Sequence, residues 1–349
     1  MRVMVAMSGG VDSSVAAALL ALDGHDVVGV TMRLWGGESD TGCCSVSDVD
    51  DARRAADEVG IEHLVFNFSD DFNTHVVDPY VAAHAGGATP NPCVECNRKV
   101  KFARLSERAQ VLGFDAVATG HHARSERRGS RWRLQRGADR AKDQSYVVHM
   151  LGQDALARTM FPVGDYDKAA VRHMAGELGL RTAHKPDSQD VCFITSTGGR
   201  AEFLGRRIPF HPARVVDSGG ALIGEVPAVE LVTVGQRRGL GLAGGGPKRF
   251  VLSVDRSRST VVVGDESELM DGSLSVAGMT WVDGPVEGDV LVQVSAHGAA
   301  RPALASIADD DRLDVTWAAP QRRVAVGQSV VLYDLSNRYV LGGGLNSTP

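Results

Sequence analysis

An apolar run followed at once by a turn rich in glycine and serine is the feature that most restricts the fold of this chain. Residues 3–6 have the character of a buried strand, and Ser-Gly-Gly at residues 8–10 then turns the chain sharply. Asp-Ser-Ser at residues 12–14 opens a segment rich in Ala and Leu, which predicts a helix. Such a turn directs backbone N–H groups and a helix N-terminus at one point, where they can hold a phosphate.

The order of residues in this turn distinguishes it from other nucleotide-binding loops. It contains neither G-x-x-x-x-G-K-[ST] nor G-x-G-x-x-G. Its S-G-G-x-D-S pattern resembles the PP-loop of the ATP pyrophosphatases, which cleave ATP between the α- and β-phosphates. The resemblance implies ATP with Mg²⁺ as co-substrate, and Asp12 is a candidate for capping the helix or for holding the metal ion. A merely capped helix is the simpler alternative, but capping explains neither the double glycine nor the repeated serine.

Strands and helices alternate over the first half of the chain. Apolar segments near residues 26–34, 63–68 and 115–120 are separated by patterns typical of helices. This alternation predicts an α/β fold with a doubly wound parallel sheet, whose ligand site lies at the carboxyl ends of the strands. Met32, at that edge, is a candidate for packing on an adenine ring or an ordinary core residue. Pro90 and Pro92 argue against a helix before about Asn97.

Length and composition indicate more than one domain. A chain of 349 residues exceeds a typical single domain, and after about residue 198 short β-type runs replace the helical pattern. We expect a PP-loop ATP pyrophosphatase domain at residues 1–198, a small β domain at 199–268 and a C-terminal β-barrel at 269–349. No apolar run approaches the roughly 20 residues of a membrane helix, and a strand begins at residue 3. We therefore expect a cytoplasmic protein with no membrane partner.

The five cysteines form two close groups, Cys43-Cys44 and Cys93/Cys96, with Cys192 apart from both. In a reducing compartment, such cysteines favour catalysis or metal binding over a disulfide framework. One alternative to catalysis is a zinc site shared by the two groups, although adjacent cysteines are poor tetrahedral partners. Another is an iron–sulfur cluster on Cys93, Cys96 and Cys192, with one iron position open to sulfide. Neither alternative is favoured over catalytic thiols.

A basic stretch lies between residues 124 and 142. It contains eight Arg or Lys residues against two acidic ones, although the net charge of the whole chain is −6. The Arg-Gly-Ser-Arg pattern at residues 128–131 predicts a hairpin turn within this stretch. A solvated hairpin is the ordinary interpretation, but the stretch adjoins the predicted ligand edge of the sheet. A hairpin that faces nucleic acid is therefore favoured.

Short segments spread over nearly the whole chain resemble one family, the tRNA-specific 2-thiouridylases, which exchange oxygen for sulfur at C2 of the wobble uridine. The matching segments are A-M-S-G-G-V-D-S-S (6–14), G-C-C-S (42–45), T-P-N-P-C-V-E-C-N (89–97), A-T-G-H-H-A-R (118–124), K-D-Q-S-Y (142–146), F-P-V-G (161–164), D-S-Q-D-V-C-F-I (187–194), V-G-Q-R-R-G-L-G (234–241) and V-G-Q-S (326–329). The N-P-C-x-x-C-N and S-Q-D-x-C-F-I segments narrow the resemblance from the PP-loop class to this family.

The resemblance implies a reaction in two parts. ATP would adenylate the C2 oxygen of the uridine and release pyrophosphate, with Mg²⁺ on the phosphates. Cys192 would carry sulfur as a persulfide, and Cys96 would attack it and resolve it as a disulfide. A helix N-terminus after Cys96, with Arg98 and Lys99 nearby, is expected to favour the thiolate. A cysteine desulfurase or a sulfur-relay protein would donate the persulfide.

The same resemblance assigns binding residues. Those that correspond to ATP contacts are Ala6, Met7, Ser8, Gly9, Gly10, Val11, Asp12, Ser13, Met32 and Gly120. Those that correspond to tRNA contacts are Asn91, Pro92, Cys93, His121, Lys142, Asp143, Gln144 and Gln328. Within the second set, the Asn-Pro-Cys segment corresponds to the part that meets the target base.

Three positions depart from the family pattern. Cys93 stands where some relatives carry Asp, His122 where Tyr is frequent, and Ser-Ala-His at residues 295–297 where Arg-Tyr-Arg is usual. That Asp is a candidate acid–base group in those relatives, a role that is not carried over to Cys93. We also expect the C-terminal domain to grip tRNA differently. Two other function classes stay open on the residues alone. One is a PP-loop ligase of small metabolites, and the other is a metal-stabilised RNA-binding module without enzymatic activity.

Overall fold

The computed structural model describes residues 1–35, 46–187, 191–194, 198–242, 246–309 and 311–348. Cys43 and Cys44 lie outside the described residues. They are two of the four cysteines in the zinc hypothesis.

A parallel sheet forms the centre of the first domain. The described strands before residue 161 are β1 (Arg2–Ala6), β2 (Asp26–Arg33), β3 (Glu62–Asn67), β4 (Ala116–Thr119), β5 (Ala123–Arg128), β6 (Arg131–Arg136) and β7 (Thr159–Met160). In this part of the chain, β3-β2-β1-β4-β7 pair in that order and all in parallel. The central position of β1 places the end of that strand, and the turn after it, at the middle of the carboxyl edge.

Helices cover both faces of this sheet. The described α-helices are α1 (Val11–Leu22), α2 (Val46–Val59), α3 (Ser69–Phe72), α4 (Asp78–Gly86), α5 (Pro92–Glu95), α6 (Leu105–Val111), α7 (Gln153–Ala157), α8 (Lys168–Glu177) and α9 (Gly199–Gly205). Successive side chains of β1 point to opposite faces. Val3 and Val5 pack with α1, α2 and α8, while Met4 packs with the helices of residues 69–111. The doubly wound α/β fold is thus confirmed.

The helix that carries the Cys-x-x-Cys segment begins earlier than the sequence predicts. Its first turn is α5, and a π-helical segment, Cys96–Arg104, joins that turn to α6. Pro92 occupies the first helical position, where a missing N–H costs nothing, and the Asn91 side chain caps the turn by accepting a hydrogen bond from the Cys93 N–H. The expectation of a helix start near Asn97 was therefore wrong, and Cys96 lies inside the helix rather than before its N-terminus.

Two β structures follow the first domain. The described strands are β8 (Ala213–Asp217), β9 (Leu222–Val226), β10 (Phe250–Asp255), β11 (Thr260–Gly264), β12 (Met270–Trp281), β13 (Gly288–Gln293), β14 (Arg301–Asp309), β15 (Arg312–Arg322), β16 (Ser329–Tyr333) and β17 (Tyr339–Asn346). The first four form a small sheet in the order β10-β11-β8-β9. The other six pair in the order β12-β15-β14-β13-β16-β17, and β17 returns to β12, which closes the predicted barrel.

The barrel also joins the first domain directly. Strand β6 pairs with β17, so the β5–β6 hairpin extends the barrel sheet rather than the parallel sheet. Tyr146 and Phe102 of the first domain pack in one buried cluster with Tyr333 and Val340 of the barrel. Helix α9, although it follows residue 198, packs through Phe203 on the first domain. The domain boundaries stay a prediction. Side chains on the two sides of the boundary predicted at residue 198 pack together, so packing does not mark it.

Candidate active site

The turn after β1 has the geometry of an anion-binding loop. Gly9 adopts φ +71°, which favours glycine, and Gly10 is the residue that precedes α1. The Ser13 hydroxyl accepts a hydrogen bond from the Ser8 N–H at 3.2 Å and donates one to the Gly10 carbonyl at 3.0 Å. These bonds fix the loop, while the N–H groups of the first turn of α1 have no acceptor within the helix. The loop can therefore offer those donors to a phosphate.

Two glycines allow other parts of the chain to approach this loop closely. A Cβ on Gly9 would collide with the backbone carbonyl of Asp48 in α2. A Cβ on Gly120, which follows β4, would lie 2.6 Å from the Ser13 nitrogen. Of the residues expected to contact ATP, those at positions 6–13 and Gly120 thus lie together. Met32, in β2, is buried in the core, and its expected contact with adenine stays a prediction.

Asp12 does not cap α1 but takes part in an ion-pair network. Both of its carboxylate oxygens lie 2.7 Å from the Lys168 ammonium, and the His122 Nε2 lies 3.1 Å from one of them. Burial would raise the pKa of Asp12, but the hydrogen bonds from His122 and Lys168 outweigh it and lower that pKa. Asp12 is therefore a carboxylate at neutral pH, the protonation state in which a carboxyl group can bind a metal ion.

The network continues from Lys168 to Asp187, which begins the segment that contains Cys192. The Asp187 carboxylate accepts from Lys168 at 2.9 Å, from Lys142 at 2.7 Å and from Arg172 at 2.7 Å. Burial would raise the pKa of Asp187, but Lys142 and Lys168 hold it at about 2. Sequence reasoning missed Lys168. A lysine at the first position of a helix opposes the helix dipole, and this anomaly is the signal that singles it out.

The two cysteines expected to exchange sulfur belong to one cluster of side chains. Cys96 is buried in it, and Cys192, which is half-buried, packs against it. Phe193, next to Cys192, fixes that part of the chain because its ring lies 5.5 Å from the ring of Tyr80 and 4.9 Å from that of Phe203. Ala6, at the end of β1, packs against the same cluster. The cysteine pair and the phosphate loop thus adjoin one hydrophobic cluster.

The barrel supports the Asn-Pro-Cys segment. The Thr89 N–H donates to the Val326 carbonyl at 3.0 Å, and the Gln328 amide donates to the Thr89 carbonyl. Gln328, expected to contact tRNA, therefore also holds the loop that is expected to meet the base. Cys93 is exposed at the start of α5 and Pro92 is buried.

Several other residues expected to bind tRNA have partners inside the protein. Asp143 is buried and forms an ion pair of 2.6 Å with Arg136, while it also accepts from the Gly137 N–H. The Gln144 side chain accepts from the His122 N–H at 2.9 Å. Burial, with nearby Lys101, lowers the pKa of His121 to about 3, so this ring is neutral at neutral pH. Asp143 in particular is placed to fold its own loop, and its contact with tRNA stays a prediction.

The basic hairpin is neither simply solvated nor wholly available to nucleic acid. Arg136 is buried, with its guanidinium 3.5 Å from the ring centre of Tyr333 and hydrogen-bonded to Gln293 of the barrel. Arg131 is exposed but pairs with Asp283, also of the barrel. The hairpin predicted to face nucleic acid cannot do so at Arg136, because β6 docks on β17 and buries its end. Exposed Arg127 remains available at the tip.

Among the described residues, no three His, Cys, Asp or Glu side chains are grouped closely enough to hold a metal ion. In the same part of the chain, no helix combines the length and the apolar character that crossing a membrane requires.

Comparison with known proteins places this architecture in one family. A family model described as the tRNA methyl transferase HUP domain matches residues 1–196, and models of a PRC-barrel domain and a β-barrel domain match residues 201–265 and 272–345. A tRNA-specific 2-thiouridylase MnmA from Roseiflexus sp. (strain RS-1) is 44% identical, with 98% of both chains covered. The chain belongs to the tRNA-specific 2-thiouridylase family. The resemblance inferred from the short segments is thereby confirmed.

A second relative from another organism matches over a similar share of its length. The relative of the same name from Mycolicibacterium paratuberculosis is 46% identical, with 95% of this chain and 94% of that protein covered. A solved structure of a 4-thiouridine synthetase–RNA complex with bound ATP covers 55% of this chain and 44% of that one, at 19% identity and a TM-score of 0.36. That likeness is too slight to bear on function.

Proposed function

We propose that this chain is an ATP-dependent tRNA-uridine 2-sulfurtransferase that thiolates the wobble uridine. The observation that carries the proposal is the position of Cys96, Cys192 and the end of β1 around one cluster, beside the phosphate loop. A methyl transfer, which the description of the family model names, would need neither this loop nor a pair of cysteines. An amide-forming ligase would need the loop but not the cysteines. The family name and the site agree on thiolation.

In the first half of the reaction, the phosphate loop binds ATP. The N–H groups at the start of α1 and the Lys168 ammonium stabilise the negative charge on the phosphates. Asp12 is the carboxylate placed to hold Mg²⁺, which would neutralise phosphate charge when bound. The uridine C2 oxygen attacks the α-phosphate, and pyrophosphate leaves. The C2 oxygen is then part of AMP, a far better leaving group than oxide.

In the second half, sulfur moves from Cys192 to the activated C2. A donor loads Cys192 as a persulfide, which its partial exposure permits, whereas Cys96 is buried. The Cys96 thiolate attacks the inner sulfur of the persulfide and forms a Cys96–Cys192 disulfide, and the outer sulfur leaves as hydrosulfide. The hydrosulfide adds to C2 and expels AMP. A thiol reductant then returns both cysteines to the thiol state.

The partners follow from this chemistry. The nucleic-acid substrate is tRNA, held through the Asn-Pro-Cys segment and the exposed basic residues of the hairpin. The persulfide comes from a cysteine desulfurase or a sulfur-relay protein, because hydrosulfide is not available in free form. A reducing cytoplasm, which keeps Cys96 and Cys192 ready for each cycle, is the expected location.

Cysteine substitutions test the sulfur half separately from the ATP half. Cys192→Ser should still adenylate tRNA and release pyrophosphate but accept no persulfide from a donor. Cys96→Ser should load a persulfide on Cys192 yet leave the tRNA unthiolated. After one turnover without reductant, the wild type should contain a Cys96–Cys192 cross-linked peptide, detectable by mass spectrometry.

Cys93→Ser is the matched control for these variants, because Cys93 shares the first turns of the same helix with Cys96. Thiolation should fall far less with Cys93→Ser than with either other substitution. Equal loss at all three cysteines, together with stoichiometric iron in anaerobically purified protein, would replace the persulfide mechanism by an iron–sulfur one. The ATP half of the proposal would then stand alone.

A further inference from the structure

The two partners that the described structure gives to the Asp12 carboxylate do not share its oxygens equally. The Lys168 ammonium lies 2.7 Å from both oxygens, whereas the His122 Nε2 lies 3.1 Å from Oδ1 alone. A carboxylate can only accept, so Nε2 donates in this bond. The Asp12 side chain is 29% exposed, while that of His122 is only 4% exposed. A ligand can therefore reach the carboxylate, and the imidazole contacts it from the buried side.

The bond to Asp12 is the one hydrogen bond that the His122 ring makes in the described part of the chain. Its other nitrogen, Nδ1, is buried and has no partner among the described residues. A buried nitrogen without a partner costs free energy, so an apolar ring would suit a role in packing alone better. The contribution that requires an imidazole here is thus the bond to Asp12.

The backbone of His122 is held firmly. Its N–H donates to the Gln144 side chain at 2.9 Å, and its carbonyl accepts from the Gln144 N–H at 2.8 Å. A Cβ on Gly137 would lie 2.6 Å from the same carbonyl, so the chain is closely packed there. Gly120, two residues earlier, packs just as closely on the backbone of Asp12. The imidazole therefore reaches Asp12 from a rigid support.

A carboxylate that binds Mg²⁺ must be held in one orientation, because this ion requires near-octahedral geometry. One carboxylate together with phosphate and water oxygens is a usual ligand set, and Asp12 in the first turn of α1 fits it. Lys168 cannot keep both oxygens once a metal ion shares the carboxylate, because two cations repel. Its flexible side chain lets the ammonium withdraw from one oxygen. The bond from His122 to Oδ1 does not have to change.

We propose that His122 is a positioning residue that fixes Oδ1 of Asp12 and thereby presents Oδ2 to the Mg²⁺ of bound ATP. The inference rests on the proposed function, since it requires ATP with Mg²⁺ at the phosphate loop. His122 acts through Asp12 rather than on the nucleotide. Gln144, which holds the backbone of His122 at two points, supports the same carboxylate indirectly.

The test is equilibrium binding of α,β-methylene-ATP to the full chain at a series of Mg²⁺ concentrations, without tRNA. His122→Phe keeps a ring at this position but removes the donor to Asp12. It should raise the Mg²⁺ concentration for half-maximal binding by about 10-fold or more, as is typical when a hydrogen-bond partner of a metal ligand is lost. In excess chelator, its affinity for the analogue should stay close to that of the wild type, because the N–H groups of the loop are unchanged.

His122→Gln, whose amide can donate from near the position of Nε2, should restore part of the Mg²⁺ dependence. His149→Phe is the matched control. His149 is also buried, with one ring nitrogen unpartnered among the described residues, but its hydrogen bond goes to the Tyr146 carbonyl. This control should lower thermal stability and leave the Mg²⁺ dependence unchanged. Gln144→Ala should shift the Mg²⁺ dependence in the same direction as His122→Phe, and it decides the question if His122→Phe does not fold.

The results that overturn the inference differ from those that overturn the proposed function. An unchanged Mg²⁺ dependence in folded His122→Phe would refute the role of His122 and leave the proposed function untouched. An equal shift in His122→Phe and His122→Gln would trace the effect to packing and refute the role as well. A wild type that binds no analogue, or binds it without regard to Mg²⁺, would instead refute the ATP half of the proposed function, and this inference with it.

Discussion

Gly9 and Gly24 share a left-handed backbone but not their surroundings. Gly9 has φ +71° and packs on the Asp48 carbonyl, whereas Gly24 has φ +79° with open space where a Cβ would stand. The comparison separates two costs of adding a side chain. Left-handed strain acts at both positions, and collision with neighbouring backbone acts only at Gly9.

Gly9→Ala should therefore abolish pyrophosphate release, because the phosphate loop must move away from α2 to accommodate the methyl group. Gly24→Ala should lower the free energy of unfolding by about 1–2 kcal/mol and leave ATP use intact. Pyrophosphate release with tRNA, together with urea unfolding of both variants, checks the pair. Equal activity in the two variants would contradict the assignment of Gly9 to the loop.

The low pKa of Asp187 predicts how the stability of the protein changes at acid pH. Its carboxyl has a folded-state pKa of about 2, below an unfolded value of about 3.9, so its ion pairs stabilise the protein above the unfolded value. That stabilisation is lost as the pH falls from about 4 toward 2. Asp187→Asn should cost on the order of 2 kcal/mol in free energy of unfolding at pH 7, and progressively less below about pH 4.

Urea unfolding over this pH range measures the difference between Asp187→Asn and the wild type. The control is Asp165→Asn, because the Asp165 side chain is 75% exposed and lies 3.5 Å from Arg124. An exposed pair of this kind should contribute less than about 1 kcal/mol. A cost for Asp187→Asn that does not vary with pH would show that the side chain stabilises by packing rather than by charge.

At the scale of elements, the β5–β6 hairpin has two different ends. Its tip carries Arg127 and Arg131, which are exposed, whereas its base carries Arg136, buried against Tyr333 of the barrel. Phosphate contacts require exposed charge, and docking of β6 on β17 requires the buried one. The tip of the hairpin is therefore available to bind the substrate, whereas its base packs on the barrel.

Neutralising Arg127 and Arg131 to Gln should weaken tRNA binding. It should also reduce the slope of log K against log [salt] by roughly two phosphate contacts. Loss of the exposed Arg131–Asp283 pair should cost less than about 1 kcal/mol. Arg136→Met should lower thermal stability, because Asp143 is left buried without its cation, and leave the salt slope unchanged. Affinity titrations at several salt concentrations separate the two results. A smaller salt slope with Arg136→Met alone would indicate that Arg136 contacts tRNA.

Sequence patterns predicted most of the structural features that depend on residues close together in the chain. The turn after β1 and the alternation of strands and helices are local signals, and the fold agrees with them. The change to β structure expected near residue 198 comes only after helix α9. The pairing of β6 with β17 joins segments about 200 residues apart, which no local pattern records. The contact of Lys168 with Asp12 is equally remote in sequence. The helix start at Pro92 was missed for a local reason, since proline was taken as a breaker although it fits a first helical turn.

At the scale of the whole molecule, the barrel and the α/β domain share a core. Tyr333 of β16 packs with Phe102 and Tyr146 of the first domain, and its hydroxyl lies 3.1 Å from that of Ser145. The adjacent Leu332 points the other way, into the barrel interior. Both side chains are fully buried. Substitution of Tyr333 therefore tests the core that the two domains share, and substitution of Leu332 tests the barrel interior alone.

Because the core is shared, the barrel and the α/β domain should unfold together. Tyr333→Ala and Leu332→Ala should each cost about 3–5 kcal/mol and move the same thermal transition downward. Only Tyr333→Ala should also speed amide hydrogen exchange in β5, β6 and the 145–148 turn, since these pack on its ring. Calorimetry combined with hydrogen-exchange mass spectrometry measures both effects. A separate barrel transition in Tyr333→Ala, with unchanged exchange in the hairpin, would mean that the first domain holds its hairpin without the barrel. The hydrogen bonds of Thr89 with Val326 and Gln328 would then remain as the support that the barrel gives to the site among the contacts described above.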